Sequence, residues 1–391
     1  MSEERFIVTY RIAANSYDEA KQIAWSVQVE QTIEFPYEFV TDEYIKNTIT
    51  GRLESLNPMP ADLAYGTVGI VSDVPSEFYI ARISYHVSTA GMEATQLMNV
   101  IFGNSSLQPH IWVVDIELPA SMYDVFKGPR FGLDGLRSLV HTPPQRAMIQ
   151  AVVKPMGTPN EELARMCGAY TRGGADVIKD DHGITNQSFT NFKDRVARCA
   201  NEVRTMNEQY GHHTLYAANV SGDGTEVLER AHYAKEVGAT ALMVAPSLVG
   251  FGWLHALATD ESLGLPIIAH PAFGGGFVSP GVSGVADYLY LGWLPRLFGA
   301  DMPIFVSYGG RFTFTEEQCK WISHYIKVDN PYMKPACPAP GGGVTDARLD
   351  ELVSLYGPDT MFLVGGDMFR RGPNIEDNMK YFVSRLEGLS R

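Results

Sequence analysis

The segment Gly173–Phe189, GGADVIKDDHGITNQSF, runs from a glycine helix stop through a short apolar stretch into a lysine, two aspartates and a histidine. Residues at helical spacing precede it over Asn160–Arg172 and resume over Phe192–Tyr210, which makes the segment the strand of a β/α unit. In an extended chain Lys179 and Asp181 point to the same side, and His182 follows at the strand-to-loop edge. An amine, a carboxylate and an imidazole then converge. Charges at the end of a buried run have to be paired or bound to a metal, because unpaired charge in a core is prohibitively costly. The segment by itself leaves two readings open, a metal site and a Lys–Asp ion pair that closes a barrel.

The same pattern repeats on both sides of this segment. From about residue 146, the short apolar runs MIQAVVKP, ADVIKDD, TLYAANVS, ALMVAP, PIIAHPA, MPIFVSY, KPACPAP and MFLVGGD alternate with helix-like stretches that include Gly224–Gly238 and Asp346–Gly357. Eight β/α units in about 245 residues fit a TIM barrel. The seventh run suits a strand least, because its prolines lack the N–H a ladder needs. Active sites of such barrels lie at the carboxyl ends of the strands. Lys154, Lys179, Asp181, Asn219, His270, Ser307 and Asp367 stand at those ends.

The first 135 residues read as a separate α+β domain, with strands FIVTYRI, GTVGIVSDV, FYIARISYHV and IWVVDIELP and helices over Asp18–Val29 and Ala94–Phe102. The expected architecture is therefore α/β, a ferredoxin-like amino-terminal domain (1–135) followed by a (β/α)8 barrel (136–391). The segment KGPRFGLDGLRSLVHTPPQRA links the two.

Composition narrows the partners. A formal net charge of −14 argues against nucleic acid or an anionic membrane, since both select basic surfaces. No apolar run is long enough to span a bilayer, and MSEERFIVTYRI lacks the features of an export signal. Four scattered cysteines suggest reduced thiols, and with them a cytoplasmic setting.

An anionic substrate therefore needs a local site. Gly341-Gly342-Gly343 and Gly365-Gly366 follow strands seven and eight, where barrel enzymes commonly bind phosphate through backbone N–H groups. A phosphorylated small molecule is the expected ligand, and two ordinary tight turns are the bland alternative. Lys154 is a candidate proton carrier or a structural ion-pair partner. His270 can hydrogen-bond a substrate oxygen or sit satisfied in the core. Ser307 and Arg311 follow strand six as candidate substrate- or phosphate-binding residues, and Arg311 can hold a phosphate or carboxylate bidentately or remain solvated.

Together these residues resemble the large subunit of ribulose-bisphosphate carboxylase, and more closely its non-carboxylating form IV relatives, the RuBisCO-like proteins. In VVKPMG, Lys154 matches the family's proton-transfer lysine. In GGADVIKDDHG, Lys179 matches the lysine that carbon dioxide converts to a carbamate, and Asp181 matches a magnesium ligand. His270 matches an active-site histidine, and Gly342, Gly365 and Gly366 match the loops that hold one phosphate. Glu30 of VEQTIEFP and Asn104 of FGNSS match residues that reach into a partner subunit's site, which implies a homodimer with shared sites, or a higher oligomer.

The departures bear on function. His182 stands where the family has a glutamate ligand, which lowers the ligand charge and suits a divalent metal such as Mn2+ as well as Mg2+. Met156 replaces a lysine, and Pro271 and Gly274 stand where carboxylases carry an arginine and a second histidine of another phosphate site. No lysine occurs between Ser307 and Lys320, the loop from which carboxylases stabilise their carboxylated intermediate. The resemblance thus implies enediolate chemistry on a monophosphorylated keto sugar acid without CO2 fixation. VEQTIEFP and the lost second phosphate site resemble members acting on 3-oxo-isoapionate 4-phosphate, by decarboxylation or by transcarboxylation and hydrolysis. The alternatives are a 2,3-diketo-5-methylthiopentyl-1-phosphate enolase, a 5-methylthioribulose-1-phosphate isomerase, and a barrel that binds a sugar phosphate without turning it over.

Overall fold

The computed structural model describes residues 3–59, 75, 77–278 and 283–390. They form two compact units, one of residues 1–126 and 274–290, the other of 127–273 and 291–391.

In the first unit, strand Arg5–Ala14 lies between Ile111–Glu117 and Glu77–His86, antiparallel to both, and Arg52–Pro58 pairs on the far side of Glu77–His86. Helices Tyr17–Glu30 and Ala94–Phe102 complete the ferredoxin-like arrangement. The central strand is buried almost throughout, and Arg11 on it stacks over Trp112 at 4.5 Å. The Arg52–Pro58 strand has no counterpart in the sequence reading, because RLESLNP carries the charges and proline expected of an exposed edge rather than an apolar run. The expected strand GTVGIVSDV lies outside the described residues. A two-residue strand, Gly284–Val285, adds to the other edge, parallel to Trp112 and Val113.

The second unit holds eight parallel strands: Met148–Val153, Val177–Asp180, Leu215–Asn219, Ala241–Val244, Ile267–Ala269, Met302–Val306, Ala339–Gly341 and Met361–Leu363. The last pairs with the first, and the Met361 N–H donates to the Pro338 carbonyl at 2.9 Å where the seventh and eighth strands meet. The seventh strand begins five residues later than the start of KPACPAP and is only three residues long, leaving Pro335 and Pro338 outside it while Pro340 pairs opposite Phe305. Strands one to five and seven are buried throughout because both faces are covered, one by the lumen and one by helices.

The linking segment contains a helix, Gly132–Val140, whose Leu133, Leu136 and Val140 pack with Met148, Val177 and Met361 at the amino-terminal ends of the strands. Asp301 fixes its start by accepting the Phe131 and Gly132 N–H groups at 2.8 Å each. The helix stops the end of the barrel opposite the strand termini that carry Lys154 and Asp181. Leu136→Ala is expected to destabilise the protein by about 2–5 kcal/mol in urea unfolding, because the plug leaves a cavity that the closed ring cannot collapse to fill.

Candidate active site

The second barrel strand alternates between function and support. Lys179 is 1% exposed and faces the lumen with Val177. Its ammonium donates to the Asp180 carbonyl at 3.0 Å. Burial pushes Lys179 down to about 8, and nearby Lys154 adds to the fall against the pull of Asp181 and Asp180. Asp180 faces the other way into a buried cluster. Its carboxylate accepts from Arg195 Nε at 3.2 Å, the Tyr216 hydroxyl at 2.9 Å and the Asn219 N–H at 3.0 Å. The sequence allowed for a Lys–Asp ion pair here; in the structure Asp180 pairs instead with Arg195, and the Lys179 ammonium meets the Asp180 main-chain carbonyl.

Asp181 and His182 follow at the mouth, with Asp181 Oδ2 3.6 Å from His182 Nδ1 and accepting the Gly183 N–H at 3.1 Å. Asn219 holds this turn from the third strand, its side-chain amide donating to the carbonyls of His182 at 3.2 Å and Ile184 at 3.0 Å. The His182 and His270 rings stack at 4.1 Å with 15° between planes. Burial lowers both, His270 most, and the Lys179 charge acts in the same direction on each. His270 Nδ1 accepts the Ala272 N–H at 3.1 Å, so the neutral ring carries its proton on Nε2.

Lys154 lies against the eighth-strand loop, where a Cβ on Gly365 would stand 3.2 Å from its Nζ. Gly366 opens onto free space. The loops after strands six and seven touch: a Cβ on Gly310 would collide with the Gly342 carbonyl, and Gly342 itself adopts φ 76°, a conformation suited to glycine. Phe312 packs against Gly342, and the Arg311 guanidinium sits 4.9 Å over the Phe312 ring. Arg311 is exposed, and its charge reaches His182. Arg348, unmarked in the sequence, braces both loops through the Gly343 carbonyl at 3.3 Å and by stacking over Tyr308 at 4.4 Å.

Lys154, Lys179, Asp181, His182, His270 and the glycine loops thus gather at one end of the barrel. Ser307 is buried nearby, but its hydroxyl is 3.1 Å from that of Tyr356 and is engaged within the protein. Glu30 and Asn104 belong to the other unit, where the Asn104 amide donates to Glu30 at 2.9 Å and to Glu34 at 3.2 Å.

Among the described residues no three His, Cys, Asp or Glu side chains form a ready cation cage. Asp181 and His182 provide two donors, and a carbamate on Lys179 would provide the third, an anionic oxygen. The depressed Lys179 fits that role, since only the neutral amine attacks carbon dioxide. Activation by bicarbonate should accordingly rise with pH through about 8 and then level off. The stability consequence has the same sign: with its folded value below 10.5, the Lys179 contribution is present above that value and is lost as pH falls through about 8. Activity after preincubation at graded pH, with urea midpoints alongside, checks both.

A parallel barrel stopped at one end, with a lysine–aspartate strand terminus and glycine loops at the other, is the arrangement of the ribulose bisphosphate carboxylase large chain, and this chain belongs to that family: the model of the family's catalytic domain matches residues 135–372. Within the family it is similar to the RuBisCO-like proteins. It is 35% identical to ribulose bisphosphate carboxylase-like protein 1 of Rhodopseudomonas palustris over 98% of both chains. It is 31% identical to the 5-methylthioribulose-1-phosphate isomerase of Rhodospirillum rubrum, over 99% of this chain and 97% of that one. The crystal structure of a Rubisco-like protein from Rhodopseudomonas palustris superposes with a TM-score of 0.85 at 33% identity, covering 99% of this chain and 98% of the other.

Proposed function

We propose that the chain is a metal-dependent enolising enzyme that acts on a monophosphorylated keto sugar acid, 3-oxo-isoapionate 4-phosphate, releasing its carboxyl-derived group without fixing carbon dioxide. The observation that carries this reading is the pair of amines in one barrel mouth, Lys179 lowered to about 8 and Lys154 beside the Gly365 loop. The residue types missing from the strand-six loop and from Pro271 and Gly274 support the exclusion of carboxylation.

In this proposal Gly342, Gly365 and Gly366 hold the phosphate through backbone N–H groups, with Arg311 at the rim and Ser307 shaping the strand-six turn. Asp181, His182 and the carbamate of Lys179 would hold Mg2+ or Mn2+. When bound, that cation supplies Lewis-acid polarisation of the substrate carbonyl. His270 donates from Nε2 to a substrate oxygen. Departure of the carboxyl group of a 3-oxo acid leaves an electron pair on the adjacent carbon, and Lys154 delivers the proton that this carbon takes up. Glu30 and Asn104 complete the site of a second subunit in a homodimer, a reading supported by exposed Phe35 and Phe39 on the same stretch as Glu30.

A second reading, 5-methylthioribulose-1-phosphate isomerase, is favoured by the full-length similarity to the Rhodospirillum rubrum enzyme. The same lysine would then carry a proton between neighbouring carbons. Proton NMR in deuterium oxide with Mg2+ or Mn2+ and bicarbonate separates the two. Loss of the carboxyl group from 3-oxo-isoapionate 4-phosphate supports the first reading. Turnover of 5-methylthioribulose 1-phosphate alone replaces it.

A further inference from the structure

Gln150 lies in the middle of the first barrel strand and is fully buried, yet both its amide nitrogen and its amide oxygen lack a hydrogen-bond partner among the described residues. Native interiors rarely leave one buried polar atom unpaired, and an amide with both ends free stands out. The strand's alternation sets its direction. Met148, two residues earlier, belongs to the lumen cluster with Ala217, Met243 and Ile304, so Gln150 points into the lumen as well.

The neighbouring strand shows what is within reach. Gln150 pairs in register with Val177, and Val152 pairs with Lys179, so Lys179 is one strand across and two residues up on the same inner face. Strand spacing and rise put those two Cα atoms about 8 Å apart, a gap that a glutamine and a lysine can close between them. The first lumen layer is apolar, and Lys179 and Gln150 are the polar side chains directly above it on these two strands.

We infer that Gln150 is a positioning residue for the carbamate of Lys179, its side-chain N–H donating to a carbamate oxygen inside the barrel. This rests on the carbamate proposed above. Carbamylation joins the neutral Lys179 Nζ to the carbon of CO2 and releases one proton to solvent, or two counted from the ammonium form, so the side chain becomes an anion facing the lumen. A donor there stabilises the anion, whereas the protonated amine that prevails below about 8 offers the amide N–H of Gln150 no acceptor.

The test uses the full-length protein equilibrated with 13C-bicarbonate, read by the carbamate resonance in carbon NMR, with urea unfolding in parallel. Lys179→Met identifies the resonance by its loss. Gln150→Met keeps the volume and removes both polar ends. The expected result is about a tenfold weaker dependence of carbamate occupancy on CO2, the loss of one hydrogen bond to a charged group, together with a higher urea midpoint in the absence of bicarbonate. Unchanged occupancy with a lower midpoint overturns the inference and assigns the amide to buried water. A wild-type protein with no resonance removed by Lys179→Met overturns the carbamate itself, an outcome distinct from failure of Gln150 alone.

Discussion

Lys179→Met is expected to lower kcat/KM by about three to four orders of magnitude, since on the proposed reading it removes the anionic donor to the cation that polarises the substrate carbonyl. The same variant should be more stable than the parent. Lys179 is 1% exposed and held down to about 8, so the folded protein carries a desolvated amine that an isosteric apolar chain does not. Steady-state kinetics with 3-oxo-isoapionate 4-phosphate and urea midpoints at pH 7 provide both readings. Lost activity with a raised midpoint marks a residue kept for chemistry at the expense of the fold. Lost activity with a lowered midpoint would return Lys179 to a structural role.

The opposite pattern is expected one residue along. Arg195→Leu should destabilise the protein by about 3–5 kcal/mol, because Asp180 is left as an uncompensated buried charge. Both side chains of the pair are 0% exposed. Arg195 also ties the far side of the same turn, donating to the Thr185 carbonyl at 2.6 Å and to the Thr190 hydroxyl at 3.0 Å. The variant should therefore bind Mn2+ more weakly as well, because Asp181 and His182 lose their support from behind. Adding Asp180→Asn should recover part of the stability by neutralising the stranded carboxylate, and a double-mutant cycle from urea unfolding measures how much. Recovery of nothing would place the loss in Arg195 packing rather than in the charge pair.

The contrast between Lys179 and Asp180 also shows what a sequence can reveal. The barrel strands were legible because strands covered on both faces are continuous apolar runs, and the strand-end lysines, His270 and glycine loops were legible because their residue types are out of place there. Arg195 was not, since an arginine on an amphipathic helix reads as solvated, and its partner lies on a strand 15 residues earlier in the chain. The Arg52–Pro58 edge strand and the helix inside the linker were hidden for related reasons: one lacks an apolar face, and the other is short and enclosed by glycines and prolines. Gln150 carried a readable signal, a lone amide within MIQAVV at lumen parity, but only the absence of partners in the folded chain gives it meaning.

The segment that pairs with Trp112 and Val113 follows the fifth barrel strand in the chain, so the polypeptide leaves the barrel unit after Phe273, contributes Gly284–Val285 to the other unit's sheet, and returns at Leu291. The chain therefore passes from one unit to the other three times. No single cut releases either half intact. A fragment beginning at Lys127 keeps every barrel strand but leaves Tyr288, whose hydroxyl donates to the Val114 carbonyl at 2.8 Å, without its acceptor. An amino-terminal module moved to another barrel would have to carry residues 274–290 with it to keep this sheet edge and the Tyr288 hydrogen bond.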